Sequence, residues 1–240
     1  MLRVISIFAA VLMIALQGCT IANPSLTYDF TPGGKLAGNN PPVRKIVIMK
    51  PLDIRGHAGT TPGMKAFIPF YPYVREIREP EAFTYDWNGY RFDYEMDFTE
   101  LVAMDLRASG IAVDVVASPE TTQIPALITG KNPPDYIIKL RLNRLDWQKK
   151  FTMYGVSVIG YVPQVFGAPD EYGFAYLKFS ADVFDAQGRP VASRTFSATE
   201  SQNSWLYYFT GYLRALTRAY AQVSPDFRRF VADSVSGNTP

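Results

Sequence analysis

Cysteine and histidine are almost absent from this sequence. Its 240 residues contain one cysteine, Cys19, and one histidine, His57. An internal disulfide framework is therefore excluded, and the core has to be stabilised by burial of apolar side chains. Zinc sites generally draw several ligands from Cys and His, so this inventory also argues against a zinc site. The sequence predicts no metal and no other cofactor.

The motifs of common catalytic sites are missing as well. A Ser-His-Asp or Cys-His site would have to use His57, which lies in the loop RGHAGTTPG without a nucleophile motif of the G-x-S-x-G kind nearby. The GTTPG stretch also lacks the Lys-Ser/Thr pair that follows a phosphate-binding glycine loop. We therefore interpret His57 as a solvated loop residue.

Neither a strong net charge nor a long apolar run is present. The chain has 24 Lys and Arg against 22 Asp and Glu, so bulk charge does not favour nucleic acid as a partner. The apolar run Val4–Leu16 is shorter than the roughly 20 residues that a membrane-spanning helix needs. Residues 153–173 carry no charge until Asp170, but glycines and prolines interrupt them and exclude a membrane helix.

The single cysteine stands just after the first apolar run. Arg3 and then Val4–Leu16 fit the charged start and the apolar region of a secretory signal. The segment ends Leu16-Gln17-Gly18-Cys19, which resembles the lipobox of bacterial lipoproteins, although Gln17 replaces the usual small or apolar residue.

The lipobox resemblance implies a lipid anchor. It implies diacylglycerol on the Cys19 thiol, cleavage after Gly18 and acylation of the new amine. Several acyl chains hold a protein stably on a membrane, whereas one chain holds it only marginally. Thr20 follows the cysteine where an aspartate would suggest inner-membrane retention, so we expect the outer membrane, with the domain facing the periplasm.

Three regions are predicted along the chain: a lipoprotein signal peptide at 1–18, the acylated cysteine and a flexible tether at 19–42, and a single α+β domain at 43–240. Pro, Gly and Asn dominate the tether. The expected elements are a strand at 43–52, a helix at 97–109, strands at 111–116 and 135–147, a hairpin at 176–200, and a helix from about Trp205 that Pro225 interrupts to start a second one. This order predicts a mixed β-sheet with helices packed mainly on one face.

An acidic cluster precedes the first helix. It consists of Asp93, Glu95, Asp97 and Glu100. Two carboxylates of this kind could cleave glycans, which would make the protein a peptidoglycan or glycan hydrolase. Asp97 and Glu100, however, match a capping box, and negative charge is favourable at a helix start. We favour the structural role.

Two segments are candidates for a contact surface, because large apolar and aromatic side chains carry most interface energy. One is the aromatic-rich stretch around residues 67–98, and the other is the charge-poor loop at 153–173. The predicted contact residues are Tyr71, Tyr73 and Trp87 in the first segment and Tyr161, Val165 and Phe166 in the second. Burial of the loop in the core remains an open alternative.

The chain resembles proteobacterial outer-membrane lipoproteins with a small α/β sandwich, such as curli-secretion, peptidoglycan-synthase-activator and ABC-transport-auxiliary lipoproteins. The lipobox, the element order and the loop VFGAPDEYG before VFDAQGRPVAS carry this resemblance. It implies a non-catalytic accessory, scaffold or binding protein with an envelope protein as partner. An auxiliary lipoprotein of an envelope lipid transport system is the alternative.

Overall fold

The chain forms one mixed sheet with helices on one face. The structure, a computed structural model, describes residues 30–36, 42–53, 73–76, 94–118, 123–151, 171–204 and 211–237. The elements in these ranges are β1 (Val43–Asp53), β2 (Tyr73–Glu76), α1 (Tyr94–Ser109), β3 (Ala112–Ser118), α2 (Ile124–Ile128), β4 (Tyr136–Phe151), β5 (Glu171–Asp185), β6 (Pro190–Ser204) and α3 (Gly211–Val235).

The sheet combines a parallel and an antiparallel part. Its strand order is β3-β1-β4-β5-β6, and the short β2 also pairs with β4. β1 runs parallel to both β3 and β4, so β1, α1 and β3 form a βαβ unit. β4, β5 and β6 are antiparallel to one another, and β2 pairs with residues 146–149 of β4. The predicted α+β class with a mixed sheet is confirmed.

The strand faces follow the predicted alternation. Ile138, Leu140 and Leu142 of β4 are fully buried in the core, whereas Lys139 and Arg141 lie on the opposite face, which we call the outer face. The alternation predicted which side chains of β4 face the core, because a period of two places every second side chain on the same side.

The predicted hairpin turn is also confirmed. Asp185 Oδ1 accepts the backbone N–H groups of Gln187 and Arg189, and Gly188 adopts a positive φ of 75° that suits glycine. The backbone hydrogen bond from Arg189, helped by that residue's side chain, holds the pKa of Asp185 below its usual 3.8.

Both long helices cover the same face. α1 packs on β1 and β3, α3 packs on β4, β5 and β6, and the helices touch each other. Aromatic rings fill the space between both helices and the hairpin: Phe98 of α1 meets Phe179 edge to face at 5.1 Å, and Phe227 of α3 meets Phe179 in the same way at 5.7 Å. Each such buried ring stabilises the fold by roughly 1.5–3 kcal/mol.

The start of α1 differs from the prediction. The helix begins at Tyr94, so Asp97 and Glu100 lie inside it, and the predicted capping box at its start is wrong. A tertiary contact accounts for the extra turn, since Glu95 forms an ion pair of 3.0 Å with Lys50 on β1. Local capping signals in the sequence cannot reveal an ion-pair partner that lies on a distant strand.

The prediction that Pro225 starts a separate helix is wrong. α3 continues through this proline, which is exposed. Proline inside a helix costs about 3 kcal/mol. Tyr220 on one side and Phe227 and Val231 on the other are fully buried against the core, and their packing offsets that cost.

The region predicted as a flexible tether contains packed residues. Phe30 is buried, and its ring lies in the main core cluster. Leu36 packs partly against the same cluster. Residues 30–36 therefore belong to the folded domain, in contrast to the prediction for 19–42. None of the helices in the described ranges is both long and apolar enough to cross a membrane.

Candidate functional site

Most of the residues predicted to make contacts lie outside the described residues. These contact residues are Tyr71, Trp87, Tyr161, Val165 and Phe166, and the predicted lipidation site Cys19 and the loop residue His57 also lie outside the described residues. Only the backbone of Tyr73 is described, in β2, where it pairs with Lys149 of β4. The lipid anchor and the contact surface therefore remain predictions.

The described members of the acidic cluster are engaged in structural contacts. Glu95 pairs with Lys50, and its main-chain carbonyl accepts the Thr99 hydroxyl at 2.7 Å. Glu100 lies 3.8 Å from the Arg107 guanidinium on the exposed side of α1. Asp93 lies outside the described ranges. The structure thus brings Glu95 to β1 and Glu100 to the end of its own helix.

The most distinctive arrangement is the docking of residues 30–36, which we call the strap, on α1 and α3. Phe30 meets Tyr220 of α3 edge to face, with ring centroids 5.4 Å apart. Arg228 Nη1 donates to the carbonyl oxygen of Gly34 at 2.8 Å. The Leu36 N–H donates to the Ser109 carbonyl at the end of α1 at 3.0 Å. We call the contact residues Ser109, Tyr220 and Arg228 the seat.

A buried polar network lies beneath the seat. Asp105 of α1 is 0% exposed, and its Oδ2 accepts the Tyr220 hydroxyl at 3.0 Å and the Ser224 hydroxyl at 2.6 Å. Arg228 is 8% exposed, and its Nε lies 3.7 Å from Asp105 Oδ1. Opposite charges are thereby paired out of water between the two helices, where an unpaired charge would cost several kcal/mol.

This pair depends on charge attraction more than on hydrogen bonding. Within the described ranges, neither Asp105 Oδ1 nor Arg228 Nε has a hydrogen-bond partner. The Arg228 guanidinium instead donates a hydrogen bond from Nη1 to the strap carbonyl of Gly34. The strap therefore supplies a hydrogen-bond acceptor to the buried Arg228 charge, which Asp105 pairs only by charge attraction.

The network also fixes the protonation state of Tyr220. Complete burial raises the pKa of this phenol well above its usual 10.0, because the phenolate would lose its hydration. The negative charge of Asp105 and the hydrogen bond to it raise the pKa of Tyr220 further. Tyr220 is thus held as a neutral donor to the carboxylate.

Two adjacent glycines of the strap meet the seat very differently. A Cβ atom on Gly33 would lie 2.1 Å from Nη2 of Arg228 and 2.4 Å from its Cζ, which is far inside van der Waals contact. A Cβ atom on Gly34 would meet nothing within 4 Å. A side chain at position 33 would therefore have to displace the Arg228 guanidinium, which is buried beside Asp105, whereas a side chain at position 34 would displace nothing.

The outer face of the antiparallel strands carries polar and charged groups. Arg141 Nη2 donates to Asp182 Oδ1 at 2.9 Å, and the Ser193 hydroxyl donates to the same oxygen at 2.6 Å. An irregularity in β4 between Leu142 and Arg144 places two successive residues, Asn143 and Arg144, between inward-facing leucines. Arg144 covers the Tyr176 ring at 4.4 Å.

β6 extends the outer face with exposed hydroxyls. From residue 193 to residue 201, every second side chain of this edge strand is an exposed serine or threonine: Ser193, Thr195, Ser197, Thr199 and Ser201. Such a face is open to solvent and suits polar contacts more than deep apolar ones.

Sequence reasoning missed the strap and the buried network. Asp105 could have been noticed, since it interrupts an otherwise apolar helix face near Val102 and Leu106. Arg228 likewise follows the buried Phe227 within the apolar stripe of α3. Their pairing with each other and with Gly34 joins positions more than 100 residues apart, which no local pattern reveals.

No family model matches the chain, and no curated protein matches it. Several solved structures are similar at low level. A Xanthomonas campestris protein of family DUF330 shares 15% identity at a TM-score of 0.46, covering 87% of this chain and 95% of its own. The hypothetical protein CT253 from Chlamydia trachomatis shares 10% identity at a TM-score of 0.41, covering 80% and 98% respectively.

Lipoprotein GNA1162 from Neisseria meningitidis is also similar. It shares 14% identity at a TM-score of 0.29, and the alignment covers 76% of this chain and 99% of the lipoprotein. At these identities and TM-scores, none of the likenesses supports an inference about function.

Proposed function

We propose that this protein is an outer-membrane-anchored lipoprotein that serves as a non-catalytic accessory or binding protein of the bacterial cell envelope. The observation that carries the proposal is the position of Cys19, directly after an apolar segment and 11 positions before Phe30. Because Phe30 is already packed on α3, a lipid on Cys19 would hold the whole domain close to the membrane.

The contacts of the described acidic residues support a binding role over a hydrolytic one. A hydrolase of the glycan-cleaving kind needs two carboxylates that flank the bond to be broken. Glu95 is committed to Lys50, and Glu100 lies at the exposed Arg107. These contacts give both carboxylates structural roles on α1.

The proposed partner is an envelope protein that docks on the contact residues predicted from sequence. Tyr161, Val165 and Phe166 lie between β4 and β5, and Tyr71, Tyr73 and Trp87 lie between β1 and α1. Loops that leave a rigid sheet commonly carry binding residues, because the sheet fixes their ends. The long antiparallel pair of β4 and β5 provides such a support.

Metabolic labelling tests the anchor. Cells that express the protein are supplied with radiolabelled palmitate, with and without globomycin, which blocks cleavage of lipidated precursors. We expect lipid label on the wild type, loss of label in Cys19→Ala, and accumulation of a larger labelled precursor with globomycin. Thr20→Ala is the matched control and should keep the label. Unlabelled wild-type protein that is processed normally in globomycin would contradict the proposal.

A further inference from the structure

The strap shortens the chain that links the domain to its membrane anchor. With the strap docked, the linker runs from Cys19 to Phe30, a separation of 11 positions. With the strap released, it runs from Cys19 to Val43 at the start of β1, a separation of 24 positions. At about 3.6 Å per residue in full extension, these lengths reach about 40 Å and about 85 Å.

We infer that docking of the strap on its seat sets how far the domain reaches from the membrane, with a short reach when the strap is docked and about twice that reach when it is released. The inference rests on the proposed lipid anchor at Cys19. It adds to that anchor a latch built from Phe30, Gly33, Gly34 and Leu36.

The contacts of the strap are specific but few. Phe30 supplies a buried ring, the Arg228 guanidinium donates to the Gly34 carbonyl, and the Leu36 N–H donates to the Ser109 carbonyl. Thr31, Gly34 and Lys35 are exposed, so much of the strap faces solvent. A segment held in this way opens more readily than the strands, whose backbones are paired along their whole length.

The buried network beneath the seat does not depend on the strap. Asp105 of α1 accepts the hydroxyl groups of Tyr220 and Ser224 of α3, and no strap atom takes part in these two bonds. Release removes one acceptor from Arg228 Nη1 and one ring contact from Tyr220. The domain can therefore undock the strap and keep its helices in place.

A substitution at position 33 should weaken docking of the strap, because the strap backbone lies against the Arg228 guanidinium there. In Gly33→Ala the new methyl group would overlap the Arg228 guanidinium, which would have to shift and would disturb its hydrogen bond to the Gly34 carbonyl. In Gly34→Ala the methyl group would point into open space. The two variants make the same chemical change and reduce the entropy of the released strap equally, so a difference between them reports on the seat.

Two measurements on the mature lipoprotein in lipid nanodiscs test the inference. Hydrogen exchange of the Leu36 amide reports whether the strap is docked, since this N–H is bonded to Ser109. Energy transfer between a dye at Val113→Cys and a lipid-bound acceptor reports the distance to the membrane. Val113 is 74% exposed on β3. The new thiol is the only reactive one, because Cys19 is acylated in the proposed form.

We expect Gly33→Ala to speed exchange at Leu36 by about tenfold or more, because local opening then costs little. Energy transfer should fall in the same variant. Gly34→Ala should match the parent in both measurements. Phe30→Ala removes the buried ring by an independent route and should reproduce both effects, with circular dichroism confirming that the domain is folded in each variant.

Two results would overturn the inference. One is unchanged exchange at Leu36 in both Gly33→Ala and Phe30→Ala, which would mean that these contacts do not hold the strap. The other is faster exchange without any loss of energy transfer, which would mean that the strap does not set the reach. A protein that fails to enter nanodiscs would instead contradict the lipid anchor, and the exchange measurement would still decide whether the seat holds the strap.

Discussion

Asp105 and Asp226 provide a matched comparison between a buried and an exposed ion pair. Asp105 Oδ1 lies 3.7 Å from Arg228 with both side chains buried, and Asp226 lies 3.7 Å from Arg229 with both exposed. Asp105→Asn should lower the free energy of unfolding by about 3 kcal/mol, because it leaves the Arg228 charge buried and unpaired. Asp226→Asn should lower it by less than about 1 kcal/mol.

Urea unfolding of the two variants measures this difference. Equal losses of stability in Asp105→Asn and Asp226→Asn would contradict a stabilising role for the buried network. A large loss in Asp226→Asn alone would contradict it as well.

The raised pKa of Tyr220 predicts how the free energy of unfolding changes at alkaline pH. Its pKa is raised well above 10.0 in the folded state by burial and by Asp105, so above pH 10 the unfolded chain loses this proton while the folded protein keeps it. The contribution of Tyr220 to stability is therefore complete below pH 10 and falls as pH rises above it. Tyr220→Phe should be less stable at neutral pH but should lose less stability between pH 10 and 11. Parallel stability profiles for both proteins would contradict this.

At the scale of elements, the strands were predictable and the helix ends were not. The alternation of Ile138, Leu140 and Leu142 with Lys139 and Arg141 predicted β4 because burial on one face of a strand repeats every second residue. The start of α1 and the course of α3 through Pro225 depend on contacts with other elements. A sequence pattern reports local preference, and tertiary packing overrides it at these places.

The proline inside α3 is predicted to lower the stability of the domain, so its replacement should raise it. Proline lacks the N–H that would donate to the carbonyl four residues earlier, and this side chain is exposed and fills no core position. Pro225→Ala should restore that bond and raise the free energy of unfolding by about 1–3 kcal/mol, since proline costs about 3 kcal/mol in a helix interior. Arg229→Ala, an exposed change on the same helix, should shift it by less than about 0.5 kcal/mol. A lower stability for Pro225→Ala would show that the helix needs the proline.

At the scale of the whole molecule, the sheet, its two long helices and the strap form one packed unit that includes Phe30. The sequence predicted the fold class because the long strands β4 and β5 and the long helix α3 are each amphipathic on their own. It could not predict the strap, since the short glycine-containing segment carries no period and its partners Tyr220 and Arg228 lie almost 200 positions away. Of the predicted contact loop at 153–173, residues 171–173 belong to β5 and the others lie outside the described residues.

Replacement of Val165 and Phe166 by serine tests that contact loop. If the two side chains bind a partner, function in cells should be lost while the melting temperature stays within a few degrees of the wild type, because surface changes shift stability by less than about 0.5 kcal/mol. Ser197→Ala on the exposed side of β6 serves as the control. A melting temperature lowered by many degrees would place both side chains in the core, where they could not form a contact surface.

The intact mass of the protein extracted from membranes tests the central claim most directly. Lipid anchoring predicts a chain that begins at Cys19 and is heavier than residues 19–240 alone by a diacylglycerol and one further acyl chain, with all of the added mass on the N-terminal peptide. A chain that retains residues 1–18, or one that begins elsewhere with an unmodified Cys19, would contradict the account.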